Sequence, residues 1–319
     1  MIYLFGVTAC SCPPEQSLRP SYPINTYGWT AKQIPSNKIP LTHYYAEYPS
    51  KMEDAPILLL IHGLVFDEQT FIHFAPLTDY FHLIAWRIPE DAPMYHGDCN
   101  DFSQALKDFI IAMNLDSFFL GGFSMGGYVA MKLFPILDSQ QIKGLIIMNS
   151  YILDCTKRLK RSRERRFSFL SKRSDEFIMC GVKRVIQRAI RDHEDIPAQQ
   201  NIYSIFRLKP ISYWRQAAAT MLNYDGESGA NTIHCPTLII HAEEDESIDV
   251  KIARYYLKYI PHADFVLLAG VAHSGIFSNS EQYIRIIIRW YSQLEIDARV
   301  SSKTQRLRDV PQIISFNQN

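Results

Sequence analysis

The sequence predicts an α/β fold: a mostly parallel sheet with helices on both faces and a helical insertion between two of its strands. Three observations carry this. Short continuous apolar runs recur along the chain, amphipathic helical patterns alternate with them, and the alternation stops between about 151 and 230. Continuous apolarity suits strands buried on both faces, and strand–helix alternation suits parallel crossovers.

The 319 residues are 47% hydrophobic and 21% charged, enough to bury a sizeable core and to exclude global disorder. Lys+Arg and Asp+Glu both number 33, and this balance argues against a dedicated nucleic-acid binder. No apolar run approaches the roughly 18 to 20 residues of a membrane helix. The six cysteines form neither a Cys-x-x-Cys pair nor a zinc-spaced Cys/His cluster, so no metal is expected and the thiols read as reduced.

Taken in order, the chain begins with the apolar stretch Met1–Val7, and Val7-Thr8-Ala9-Cys10 resembles a bacterial lipoprotein cleavage box. No Lys or Arg precedes the apolar run. The expectation is a short apolar N-terminus and a cytoplasmic protein, with export or lipid anchoring through Cys10 as the alternative. Six prolines then mark 11–40, so the segment 1–40 reads as irregular or extended.

Strand-like runs follow at 57–61, 81–86, 117–121, 144–149, 236–241 and 264–268. Phe102, Ala105, Leu106, Phe109, Ile110 and Met113 fall on one helix face, as do Tyr283, Ile284, Ile287, Ile288, Tyr291 and Leu294. The core therefore divides into 41–150 and 231–296, separated by a helical insertion at 151–230 and followed by a polar tail at 297–319. Within the insertion, 157–173 holds nine Lys/Arg against one acid, Glu164. A solvated helix face is the plain reading of that run. The sharper one is a contact for an anionic head group, a phospholipid surface or an acyl-carrier protein.

Gly122-Phe123-Ser124-Met125-Gly126-Gly127 sits between a strand-like run and an apolar helical stretch that Pro135 ends. Small residues flanking the serine relieve the crowding of a sharp strand-to-helix turn, and the hydroxyl then projects at a helix N-terminus that favours a developing anion. A nucleophilic serine also needs two N–H donors for its oxyanion. Met125 supplies one. Leu64, in His62-Gly63-Leu64 after the first apolar run, is the candidate for the other, with Val65 as its neighbour, and His62 shapes that loop.

The serine needs a base, and the base an orienting carboxylate. Ten histidines compete, and only His273 follows the last predicted strand and precedes the final helix. For the acid, the run 236–241 leads into Ala242-Glu243-Glu244-Asp245-Glu246-Ser247. Asp245 is the first choice, then Glu244 or Asp249, with Asp154 a further alternative. The glycines at 121–122 and 126–127 lack the Walker lysine and the dinucleotide spacing, so no cofactor is expected.

His62-Gly63-Leu64, the Gly122–Gly127 turn, the Asp245 turn and the His273 loop together resemble the α/β-hydrolase superfamily over about 55–295. The resemblance implies an eight-stranded, mostly parallel sheet, a helical cap after the sixth strand, which makes 151–230 the cap, and a Ser124–Asp245–His273 site. Asp98–Phe102 and Ile147–Tyr151 are also similar to the maspardin-type branch, whose members are thought to act as binding proteins and tend to lack a clear catalytic histidine. This chain departs from them by keeping His273 and the His62-Gly63 step. It departs from common esterases by reading Trp86-Arg87-Ile88-Pro89-Glu90-Asp91 in place of Asp-x-Pro-Gly-x-Gly. The expected function is hydrolysis of a small carboxylic ester or thioester. A non-catalytic adaptor is the rival, as is a C–C bond hydrolase or acyltransferase using the same three residues.

Overall fold

The computed structural model describes residues 28–36, 41–64, 66–89, 99–152, 172–177, 180 and 227–308. Its eight strands are β1 (Thr30–Pro35), β2 (Thr42–Tyr48), β3 (Ile57–Ile61), β4 (His82–Trp86), β5 (Phe118–Phe123), β6 (Ile142–Met148), β7 (Thr237–Glu244) and β8 (Asp264–Ala272). They form one sheet in the order β1-β2-β4-β3-β5-β6-β7-β8. The β1–β2 and β2–β4 pairs are antiparallel, and the other pairs are parallel.

Alternate residues of the apolar strands feed two cores. Leu58 and Leu60 of β3, Ile146 and Met148 of β6, and Leu238 and Ile240 of β7 enter one, while Leu59, Ile61, Leu145, Ile147 and Ile239 enter the other. This is why these strands read as unbroken apolar runs. Helices α1 (Cys99–Ala112) and α2 (Met125–Leu133) cover the second core. The 3₁₀ segment Glu68–Asp79 and α3 (Ser280–Arg308) cover the first through Phe71, Phe74, Tyr283, Ile287 and Trp290.

In three places the structure differs from the sequence reading or goes beyond it. Within 1–40, expected to be irregular or extended, Thr30–Pro35 form the edge strand β1, and buried Trp29 donates from Nε1 to the Ile72 carbonyl at 3.2 Å. Strand β2 was not expected as such, because partly exposed Tyr44, Glu47 and Tyr48 interrupt its apolarity. The polar tail expected from 297 is helical as far as Arg308. Once the first turns of α3 are packed, each further residue adds a backbone hydrogen bond at little cost, and Gln293–Asp297 and Glu295–Arg299 pairs line the exposed turns.

Most of the cap expected at 151–230, and most of the basic run 157–173, lies outside the described residues. At their edges, Tyr151, Ile152 and Ala230 are buried in the sheet core. Among the described residues, no helix is long and apolar enough to cross a membrane.

The sheet order places the site. Chain connections leave β3 toward β4 on one side, and β5 lies on the other, so the loops after β3 and β5 diverge at their carboxyl ends. An open α/β sheet forms its crevice at such a switch point.

Candidate active site

The turn after β5 brings Ser124 to that crevice. Ser124 has φ 52° and ψ −119°, a conformation that a non-glycine residue holds at a cost of roughly 1–3 kcal/mol. The surroundings impose it. The Ser124 N–H donates to the Met148 carbonyl at 2.9 Å, and the Ser124 carbonyl accepts from Gly127 N–H at 3.1 Å. A Cβ at Gly122 would sit 2.4 Å from the Gly126 carbonyl oxygen, and one at Gly126 would sit 2.1 Å from the Ile61 carbonyl oxygen. Only bare backbone lets α2 start so close to β3 and β5. Helix α2 ends at Leu133, two residues before Pro135, as expected.

His273 follows β8 directly. Its Nε2 lies 3.2 Å from Ser124 Oγ and its Nδ1 lies 2.6 Å from Asp245 Oδ2. The Asp245 side chain is fully buried, while the His273 side chain is 17% exposed. A carboxylate is acceptor-only, so Nδ1 carries the hydrogen toward Asp245 and Nε2 accepts from the serine hydroxyl. The other Asp245 oxygen accepts from Ser247 N–H at 2.8 Å and Ile248 N–H at 2.7 Å, which fixes the carboxylate in its turn. Strand β7 runs on past the apolar run 236–241 to Glu244, so Asp245 stands immediately after the strand. Of the other carboxylates considered, Glu244 is exposed, Asp249 caps a short helical turn by accepting from Lys251 N–H, and Asp154 lies outside the described residues.

Phe123 and His273 have ring centroids 5.3 Å apart, and Phe66 packs against both Phe123 and Phe277. These rings pack as an apolar wall beside the imidazole. The loop after β3 lies against the serine: a Cβ at Gly63 would be 3.1 Å from Ser124 Cβ. Leu64 is the next residue of that loop, Met125 is the first residue of α2, and Val65 lies outside the described residues.

His62 is fully buried. Its Nε2 accepts from Ile88 N–H at 2.9 Å, so Nδ1 carries the ring hydrogen and donates to the Gly63 carbonyl at 2.7 Å. The loop-shaping role expected of His62 therefore has a definite form, a tie between the loops after β3 and β4. A second tie was not foreseen. Arg87, in the segment that departs from the usual glycine-rich motif, donates from Nε to Glu68 Oε2 at 2.5 Å and from a terminal nitrogen to Glu68 Oε1. Burial works against the guanidinium charge, but the Glu68 bonds and nearby Asp67 outweigh it and raise the pKa. A bidentate pair of this kind fixes direction as well as distance.

Two more buried histidines lie apart from His273 in their hydrogen bonding. His43 Nδ1 accepts from Trp86 Nε1–H at 3.4 Å, so its hydrogen is on Nε2, facing Asp108 at 2.9 Å. His241 Nε2 donates to the Ile248 carbonyl at 3.0 Å, behind Asp245. Burial lowers both pKa values from the ordinary 6.5, against the opposing pull of Asp108 and Asp245 respectively. The unfolded chain therefore binds more protons than the native one as pH falls through about 6.5, and stability declines in that direction. The urea midpoint is expected to be lower at pH 5.5 than at pH 7.5. A flat or rising midpoint would contradict the neutral assignment of these rings.

Among the described residues, no group of three or more His, Cys, Asp and Glu side chains could hold a metal ion.

Comparisons with known proteins agree with this architecture. A family model described as alpha/beta hydrolase fold matches residues 89–280, more than half of the chain. A Mycoplasma pneumoniae protein named "Putative esterase/lipase 1" is 24% identical over 207 residues, 62% of this chain and 74% of that protein. The solved structure of a thermophilic esterase from Thermogutta terrifontis superposes with a TM-score of 0.66 at 20% identity, covering 83% of this chain and 98% of that one. A bromoperoxidase from Bacillus anthracis superposes with a TM-score of 0.70 at 15% identity, covering 82% of this chain and all (100%) of the other. The two structures carry different named activities, so the likeness speaks for the fold and leaves the reaction to the site.

Proposed function

This chain belongs to the α/β-hydrolase fold family, and on that premise we propose that it is a serine hydrolase acting on small carboxylic esters or thioesters. Ser124 Oγ attacks the acyl carbon as its proton passes to His273 Nε2. Asp245 holds the Nδ1–H and stabilises the imidazolium that forms. The amides of Leu64 and Met125 receive the oxyanion, and the N-terminus of α2 adds its partial positive charge. Collapse of the tetrahedral species breaks the acyl–oxygen or acyl–sulfur bond. The leaving group takes the proton from Nε2. Water, deprotonated by the same nitrogen, then releases the acyl group and restores Ser124.

The observation that carries this reading is the hydrogen-bonded line from Ser124 Oγ through both His273 nitrogens to a buried Asp245. An adaptor has no need to hold an imidazole in one tautomer against a serine of strained backbone. Carbon–carbon bond hydrolysis and acyl transfer would use the same line of groups, so substrate tests have to separate them.

The direct test is turnover of p-nitrophenyl acetate and butyrate and of a short acyl thioester. Turnover at a rate within the usual range of about 1 to 10³ per second is expected for at least one of them. Folded protein that turns over none of these, across acyl lengths, would favour the adaptor reading.

A further inference from the structure

The end of β6 carries a side chain whose hydrogen bonds converge on the acid and the base from behind. Asn149 is fully buried, and its backbone has φ 44°, in the left-handed region that asparagine tolerates better than most residues. Its N–H donates to the Ile240 carbonyl at 2.9 Å, the last rung between β6 and β7. The next N–H of β7 on that side, Ala242, lies past the end of β6. Asn149 Oδ1 accepts it at 3.1 Å, where a main-chain carbonyl would have continued the ladder.

The amide nitrogen reaches the other way. Asn149 Nδ2 donates one hydrogen to the His273 carbonyl at 2.9 Å and the other to the Tyr283 hydroxyl at 2.8 Å. Tyr283 is fully buried in α3, the helix that follows the His273 turn. One side chain thus joins β7, three residues before Asp245, to the residue that presents the imidazole and to the helix behind it. The β7–β8 pairing shifts register between Ala242 and Glu244 before it resumes with Glu244 opposite Ala272, and the Asn149 bonds to Ala242 and His273 brace the sheet across that irregular step.

We propose that Asn149, backed by Tyr283, is a positioning residue that sets the separation of His273 from Asp245 and Ser124. The proposal rests on the serine-hydrolase reading for its kinetic consequence, but its geometric consequence can be read without turnover. Asn149→Asp keeps the acceptor for Ala242 N–H and lets the Tyr283 hydroxyl donate. It turns the bond to the His273 carbonyl into a contact between two oxygens.

The expected result for Asn149→Asp is a fall in kcat of roughly 10- to 100-fold with KM within about twofold, since misplacement by about an ångström costs on this scale. Tyr283→Phe, which keeps the bond to His273, should lose only a few-fold. The cost of Asn149→Asp should largely vanish in an Asp245→Asn background, where the alignment it protects is already lost. A purely structural role would cost the same in both backgrounds.

The second readout is the downfield proton resonance of His273 Nδ1–H, identified by its loss in His273→Gln. It should broaden or disappear in folded Asn149→Asp and persist in Tyr283→Phe. An Asn149→Asp protein that is folded and keeps both the resonance and the wild-type kcat would overturn the proposal. A resonance lost in Asn149→Asp, in a wild type that hydrolyses no ester, would uphold the positioning role and count against the hydrolase reading alone.

Discussion

Ser124→Ala is expected to reduce kcat/KM toward a short p-nitrophenyl ester by about 10⁶-fold, the scale on which removing a nucleophile of this type acts. The change deletes one oxygen and little else. The backbone at φ 52° is as costly for alanine as for serine, and the N–H bond to the Met148 carbonyl is untouched, so the midpoint of urea unfolding should move little. Residual activity would come from the oxyanion donors alone, which are worth about 10²- to 10³-fold each. Steady-state kinetics beside an unfolding curve check both halves. A variant within tenfold of wild type would mean that another group attacks.

Gly126→Ala is expected to have the largest effect on the fold. Its new Cβ would sit 2.1 Å from the Ile61 carbonyl oxygen and 2.6 Å from that of His62. Both obstacles are backbone at the end of a buried parallel strand, so neither can rotate aside. The N-terminus of α2 has to lift from β3, which takes Ser124 away from the Gly63–Leu64 loop. A loss of roughly 4 kcal/mol or more is expected, at the upper end of what single substitutions cause. Gly270→Ala is the contrasting case. It has φ 66° but nothing within 4 Å of a new Cβ, so only the backbone cost of about 1 kcal/mol applies. Urea unfolding of the two variants should rank them in that order. Equal losses would mean that backbone strain, and not the clash at β3, decides.

Much of the sheet was legible because its inner strands are buried on both faces. Leu58-Leu59-Leu60-Ile61 divides its side chains between two cores, and such a run can hardly be read otherwise. The edge strands β1 and β2 gave no such signal. Residues of β1 are almost all exposed, and its pairing with β2 depends on backbone groups that every sequence carries. The far end of α3 was read as a tail because the chain turns polar and loses its periodicity after about 297, and helices propagate past their packed turns.

The site was legible in unequal parts. Ser124 announces itself through its glycines, and His273 through its place after the last strand. Asp245 had several acidic neighbours, and it is distinguished only by the amides of Ser247 and Ile248 and by the direction in which β7 ends. Asn149 and the Glu68–Arg87 pair left no local pattern. Asn149 meets partners 93, 124 and 134 residues away, and nothing adjacent to it in sequence announces them. The only hint at Arg87 was negative, a charged residue where a glycine-rich segment is common.

The central claim is that one hydroxyl of this protein is made nucleophilic by His273. Reaction with a fluorophosphonate, followed by peptide mass mapping, measures it directly. The account predicts a single phosphonylated residue, Ser124, with labelling abolished in Ser124→Ala and slowed severely in His273→Gln. Folded protein that stays unlabelled, or that labels at the same rate without the imidazole, would contradict it.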